Sequence, residues 1–226
     1  MKKRTAFIGA ILSLIPLGQP LLIKTGVVLS TTGLMLAVPE NAFARKNANY
    51  YFNRAYDKAE KGDHYGAISD YTKAIEINPN DSEAYYNRGW NKAKLKDHYG
   101  AISDFTKAIE INPKMDNAYY NRGISKTALK DHYGAISDYT KAIEINPKKD
   151  EAYYNRGNRK LNRKDHYGAI FDYTKAIEIN PTRDNAYGNR GIAKRKIGDD
   201  KGGCDDWRKA SSLGNEITDQ WVRDQC

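Results

Sequence analysis

The chain has 226 residues, 40% hydrophobic and 29% charged, with a formal charge of +9. Lys2, Lys3, Arg4 and Lys24, less Glu40, account for three of those units, and acids and bases alternate through the remainder. That mixed surface argues against a nucleic-acid binder, which gathers Lys and Arg along one stripe.

Residues 1–44 differ in composition from everything after them. Met1 to Arg4 is positively charged, Thr5 to Val38 is apolar or small apart from Lys24, and Pro39 breaks the run. Ala42, Phe43 and Ala44 form a small-x-small cleavage pattern. Two readings stand: a long cleaved signal peptide, which is favoured, and an uncleaved anchor, since residues 5–38 suffice to span a bilayer of about 30 Å. Either one places the remainder of the chain across the membrane, because positive residues precede the apolar stretch.

From residue 48 the chain repeats every 34 residues. Asp-His-Tyr-Gly-Ala-Ile recurs from Asp63, Asp97 and Asp131, and Ala-Ile-Glu-Ile-Asn-Pro from Ala74, Ala108, Ala142 and Ala176; at Asp165 the first phrase recurs as well. A fixed period of this size marks stacked units that cannot bury an apolar face alone. In the unit 82–115, Ser82 reads as an N-cap, with Asp116, Asp150 and Asp184 in the equivalent places and Asn47 or Asn49 serving the first unit. A helix runs from there to about Leu95. Asp97 caps a second helix, whose Ala101, Ile102, Phe105, Ala108 and Ile109 form an apolar stripe of helical period. Pro113 stops it.

The pattern resembles the tetratricopeptide repeat (TPR) family. Its first aromatic is Tyr51, Tyr85, Tyr119, Tyr153 and Tyr187, and its glycine is Gly89, Gly123, Gly157 and Gly191, with Ala55 in the first unit. The second helix supplies Ala67, Ala101, Ala135, Ala169 and Gly203, then Tyr71, Phe105, Tyr139, Tyr173 and Trp207, then Ala74, Ala108, Ala142, Ala176 and Ala210. Pro79, Pro113, Pro147 and Pro181 close the units, and Asn215 takes that place in the fifth. The resemblance implies an all-α, right-handed solenoid of five units, 48–81, 82–115, 116–149, 150–183 and 184–217, with a capping helix over 216–226.

Two departures from the family pattern recur. Leucine is replaced by Arg54, Arg88, Arg122, Arg156 and Arg190, and the second tyrosine by Lys58, Lys92, Lys126, Lys160 and Lys194. Buried arginine needs a partner, and an acid precedes each second-helix aromatic: Asp70, Asp104, Asp138, Asp172 and Asp206. An Arg–Asp pair in every unit is the expectation, structural in role; a ladder of basic ligand contacts is the alternative.

In the family, first helices line a concave groove. Helical geometry then places Asn53, Asn87, Asn121, Asn155 and Asn189 in it as a fixed polar line. Tyr86, Tyr120, Tyr154 and Trp90 lie beside them. Amides suit the backbone of an extended peptide, and tyrosine offers contact area with few rotatable bonds. The alternative is that each Asn bonds a neighbouring helix. One groove register varies, as Tyr56, Trp90, Ile124, Asn158 and Ile192, while the second helices scarcely change. The lysines of a carboxylate clamp are missing beside the asparagines.

His64, His98, His132 and His166 do not suggest a metal centre, since helices 8–10 Å apart keep equivalent residues beyond a shared ligand bond of about 2.1 Å. No nucleophile triad, phosphate loop or CxxC is present, and no cofactor is implied. Cys204 and Cys226 lie symmetrically about Asn215, so two antiparallel helices would bring them together as a disulfide in an oxidising compartment. The expected protein is a non-enzymatic scaffold holding a peptide or protein, with no nucleic acid and with membrane contact only through an uncleaved N-terminus. The alternative is an assembly factor that associates with itself or with a membrane complex.

Overall fold

The computed structural model describes residues 47–226, so the export segment over 1–44 lies outside the described residues. Eleven helices succeed one another among those residues: α1 Ala48–Glu60, α2 His64–Ile77, α3 Ser82–Lys94, α4 His98–Ile111, α5 Asp116–Ala128, α6 His132–Ile145, α7 Asp150–Asn162, α8 His166–Ile179, α9 Asp184–Lys196, α10 Asp200–Ser212 and α11 Glu216–Gln225. No strand occurs among the described residues. Consecutive helices pack as hairpins, and the second helix of each hairpin packs on the first of the next.

Local chemistry sets the boundaries. Asp63, Asp97, Asp131, Asp165 and Asp199 cap the second helices, each accepting a bond from a glycine N–H three residues on at 2.8–3.0 Å. Glycine belongs there because a Cβ at Gly134 would lie 2.1 Å from Asp131 Oδ2. The hairpin turns need a left-handed residue, supplied by Gly62 and Gly198 at the ends of the array. In the middle it is Lys96, Lys130 and Lys164, at φ of 63–64°. At the other edge Asn78, Asn112, Asn146 and Asn180 each precede proline, and the side chain of each accepts from the backbone N–H two residues on at 3.2–3.3 Å. That Asx turn carries the chain past the proline.

First-helix caps differ from the sequence expectation. Asn47 caps α1, bonding Tyr50 N at 2.9 Å, but Asp81 and not Ser82 caps α3, bonding Ala84 N at 3.0 Å. Asp116, Asp150 and Asp184 are the first helical residues, behind Met115, Lys149 and Arg183, which make no side-chain cap. Their carboxylates reach the loop that closes the unit. Asp116 accepts from Asn146 and Lys149 at 3.2 and 2.9 Å, Asp150 from Asn180 and Arg183 at 3.1 and 2.7 Å, and Asp184 from Asn215 at 2.8 Å. A negative charge in the first turn still answers the helix dipole, so the aspartates serve both purposes.

The core is a column of small and aromatic residues. Tyr71, Phe105, Tyr139 and Tyr173 are at most 1% exposed, flanked by fully buried alanines. In the units after the first, the first helix approaches the ring at the family glycine; a Cβ on Gly123 would fall 2.7 Å from Tyr139 Cε1. At the C-terminal end α11 closes the stack. Trp221 meets Trp207 with ring centroids 5.0 Å apart, and Cys204 is bonded to Cys226 across a Cα–Cα distance of 5.7 Å.

Candidate functional site

The recurring arginines sit inside the hairpins. Arg88 donates through Nε and Nη2 to Asp104 at 2.9 and 2.7 Å, and the same fork joins Arg122 to Asp138, Arg156 to Asp172 and Arg190 to Asp206. Arg54 pairs with Asp70 likewise. The aspartates are 0–5% exposed. Sequence reasoning missed two further partners. Lys58, Lys92, Lys126, Lys160 and Lys194 each bring an ammonium to the same carboxylate at 2.8–2.9 Å. The remaining arginine arm crosses to the preceding unit, where Thr72, Thr106, Thr140 and Thr174 accept it at 3.0–3.1 Å. The signal was available: Lys four residues after each Arg, and Thr two after the aspartates of the first four units.

Each guanidinium also lies 5.2–5.6 Å from the ring of the tyrosine three residues before it. Burial alone would raise the Asp70 carboxyl, but the bonds from Arg54 and Lys58 outweigh it and hold it below its ordinary value. The arrangement is a clamp between and within units. It consumes the cations that a ladder of basic ligand contacts would need.

The asparagine line has a different fate from a row of free amides. Asn121 donates to Tyr86 Oη at 2.9 Å, Asn155 to Tyr120 Oη at 2.9 Å, and Asn189 to Tyr154 Oη at 3.2 Å. Asn189 also donates to Asn158 Oδ1 at 2.8 Å, which takes the Tyr173 hydroxyl at 2.7 Å as well. Asn87 would find its tyrosine at position 52, where Phe52 stands; it is 4% exposed and its buried Oδ1 has no partner. Asn53 and Phe52 lie on the first helix of the array. Three of the five expected peptide contacts thus spend an N–H on the preceding unit, while the Oδ1 atoms of Asn121, Asn155 and Asn189 accept no bond among the described residues. Burial raises the phenols of Tyr86 and Tyr120, the latter to about 12.

Around this line the lining changes from unit to unit. Trp90 carries Lys94 above its ring at 4.8 Å and touches His64 edge-on, and Ile124 is 38% exposed. Further along, Lys149 lies 5.2 Å from the Tyr120 ring and Arg183 lies 5.3 Å from that of Tyr154. One end is therefore aromatic and apolar, and the other combines amides with cations already held by Asp116 and Asp150. Of the histidines, His64 reaches this face through its edge-on contact with Trp90. His64 Nδ1 meets Asn91 Oδ1 at 2.9 Å, and in His98, His132 and His166 that nitrogen is buried without a partner.

The Tetratricopeptide repeat profile matches residues 82–115, 117–149 and 150–183, and the TPR repeat profile matches 56–90. The chain belongs to the tetratricopeptide repeat family, a fold of protein-interaction scaffolds that is generally non-enzymatic. Among solved structures it is similar to the MamA protein, with a TM-score of 0.70 and 27% identity over 74% of this chain and 91% of that one. It is also similar to YrrB, described as a TPR protein with an unusual peptide-binding site. There the TM-score is 0.71 and the identity 20%, over 81% and 96% of the two chains. MamA 41-end from Desulfovibrio magneticus RS-1 superposes with a TM-score of 0.69 at 22% identity, over 74% and 94%. The last two likenesses concern the fold alone. Among curated protein sequences none matches this chain significantly.

Proposed function

We propose that this protein is an exported, non-enzymatic scaffold that holds an extended segment of a partner protein along the face carrying Trp90, Ile124, Asn121 and Asn155. The observation that carries this reading is a contrast within one chain. Cap, clamp and core residues recur almost unchanged, whereas Tyr56, Trp90, Ile124, Asn158 and Ile192 differ in one register. Packing asks the same of every unit, but a ligand crossing the units meets each one differently. The tyrosine bonds refine the chemistry. With an amide N–H of Asn121 and Asn155 engaged and Oδ1 left over, the line offers acceptors for backbone N–H groups of the segment. Apolar side chains of the segment would lie against Trp90 and Ile124. The linked cysteines support an oxidising compartment, in keeping with the export segment.

The test is a pull-down from the exported fraction with the wild type and with a Trp90→Ala, Ile124→Glu double variant, neither residue being part of the clamp. Partners held by the wild type and lost from the variant are the expected result. An unchanged set of partners would discard this face as the binding surface.

A further inference from the structure

A second surface repeats along the array, and within it the Tyr133 ring carries the Arg163 guanidinium at 3.9 Å. Tyr65, Tyr99, Tyr133 and Tyr167, the second residues of α2, α4, α6 and α8, are 76, 76, 70 and 74% exposed. Their neighbours have structural tasks: the aspartate two before caps the helix, the glycine after admits that cap, and the next alanine is buried. The tyrosine position itself accepts a lysine, as Lys201 shows in α10. One turn on from Tyr167, Phe171 is 55% exposed where Ser69, Ser103 and Ser137 stand in the other units. Large apolar rings gathered on a surface mark an interaction site.

We infer that this tyrosine ladder is the docking face for a second copy of the chain, laid alongside the first as a two-fold pair. Rings one repeat apart, on the order of 10 Å, are all engaged at once only by a partner with the same spacing. A second copy has that spacing by construction. Charge does not oppose the contact. The same helices carry Lys107–Glu110, Lys141–Glu144 and Lys175–Glu178 at 3.0, 2.7 and 2.6 Å, so these cations are already balanced by anions of the same helix. The area is also adequate. Four tyrosines exposed by about three-quarters offer about 600 Å² of surface, against about 800 Å² per partner in a standard interface. Phe171 and the ladder's flanks make up the difference.

Sedimentation velocity of the full chain over a concentration series tests this, comparing the wild type with a Tyr65→Ser, Tyr99→Ser, Tyr133→Ser, Tyr167→Ser variant. The wild type should pass from monomer to dimer, and the variant should need at least about tenfold more protein to do so, with unchanged far-UV circular dichroism. A Ser103→Glu, Ser137→Glu variant, which keeps every ring, should weaken the dimer in the same sense, while Ile124→Glu should leave it intact. A wild type monomeric throughout, or variants that dimerise as tightly, would overturn the inference. So would a monomer whose tyrosines instead retain a polysaccharide.

Discussion

A buried aspartate surrounded by two cations explains why this chain tolerates arginine where its family places leucine. Asp138 is 2% exposed and receives the Arg122 fork and the Lys126 ammonium. The third arginine arm extends to Thr106 of the preceding unit. Removing the carboxylate strands two largely buried cations, their side chains 16 and 21% exposed. Asp138→Ala should therefore destabilise the array by about 3–5 kcal/mol, the cost of breaking a buried pair from one side, as read from urea denaturation. The Arg–Asp part was legible in the sequence, since buried charge demands an opposite. The Lys contact could be read from its place four residues after each Arg on the same helix, whereas the Thr contact crosses to the preceding unit and depends on how closely that helix approaches.

Among the elements, the closing helix depends most on a covalent tie. α11 packs only on the end of the stack, and its last turn is exposed from Arg223 to Cys226. The bond from Cys226 to Cys204 spans 22 residues, a loop worth about 3 kcal/mol in the chain-entropy model. Reduction, or Cys226→Ser, should lower the melting temperature and raise hydrogen exchange across 216–225 before it affects α3 to α8. Equal protection of α11 in both forms would show that Trp207 and Trp221 suffice. Symmetry about Asn215 made this pairing readable. The first-helix caps were misread one residue late, because Ser82, Asp116, Asp150 and Asp184 have capping chemistry but lie one residue inside their helices.

For the whole molecule, ionisable groups set a pH window. Burial would raise Asp116 and Asp150, but Lys149 and Asn146 in one case, and Asn180 and Arg183 in the other, hold both below the ordinary carboxylate value, as at Asp70. Their contribution is present above about pH 4, where the unfolded carboxyl ionises, and is lost as pH falls through the lower folded values. Tyr86, Tyr139 and Tyr173 are raised by burial, and Tyr120 reaches about 12. Those phenols contribute below about pH 10 and lose that contribution as pH climbs toward the folded values. Denaturation midpoints should thus form a plateau that falls at both ends. On the alkaline side, ionisation of these four buried phenols should accompany the loss of helix, as read by following tyrosinate absorbance and far-UV circular dichroism on the same samples.

The sequence by itself determined the period, the hairpin count, the helix stops and the acid that each arginine would need. These arise from residues within one unit, where proline, capping aspartate and apolar spacing act over a few positions. Only the tertiary structure decided what the asparagines do. Where the Asn121 N–H goes is settled by the hydroxyl of Tyr86, a residue 35 positions away, and Phe52 leaves Asn87 outside the pattern for the same reason. A contact between units depends on the distance and angle at which two helices stack, and no single repeat encodes that geometry.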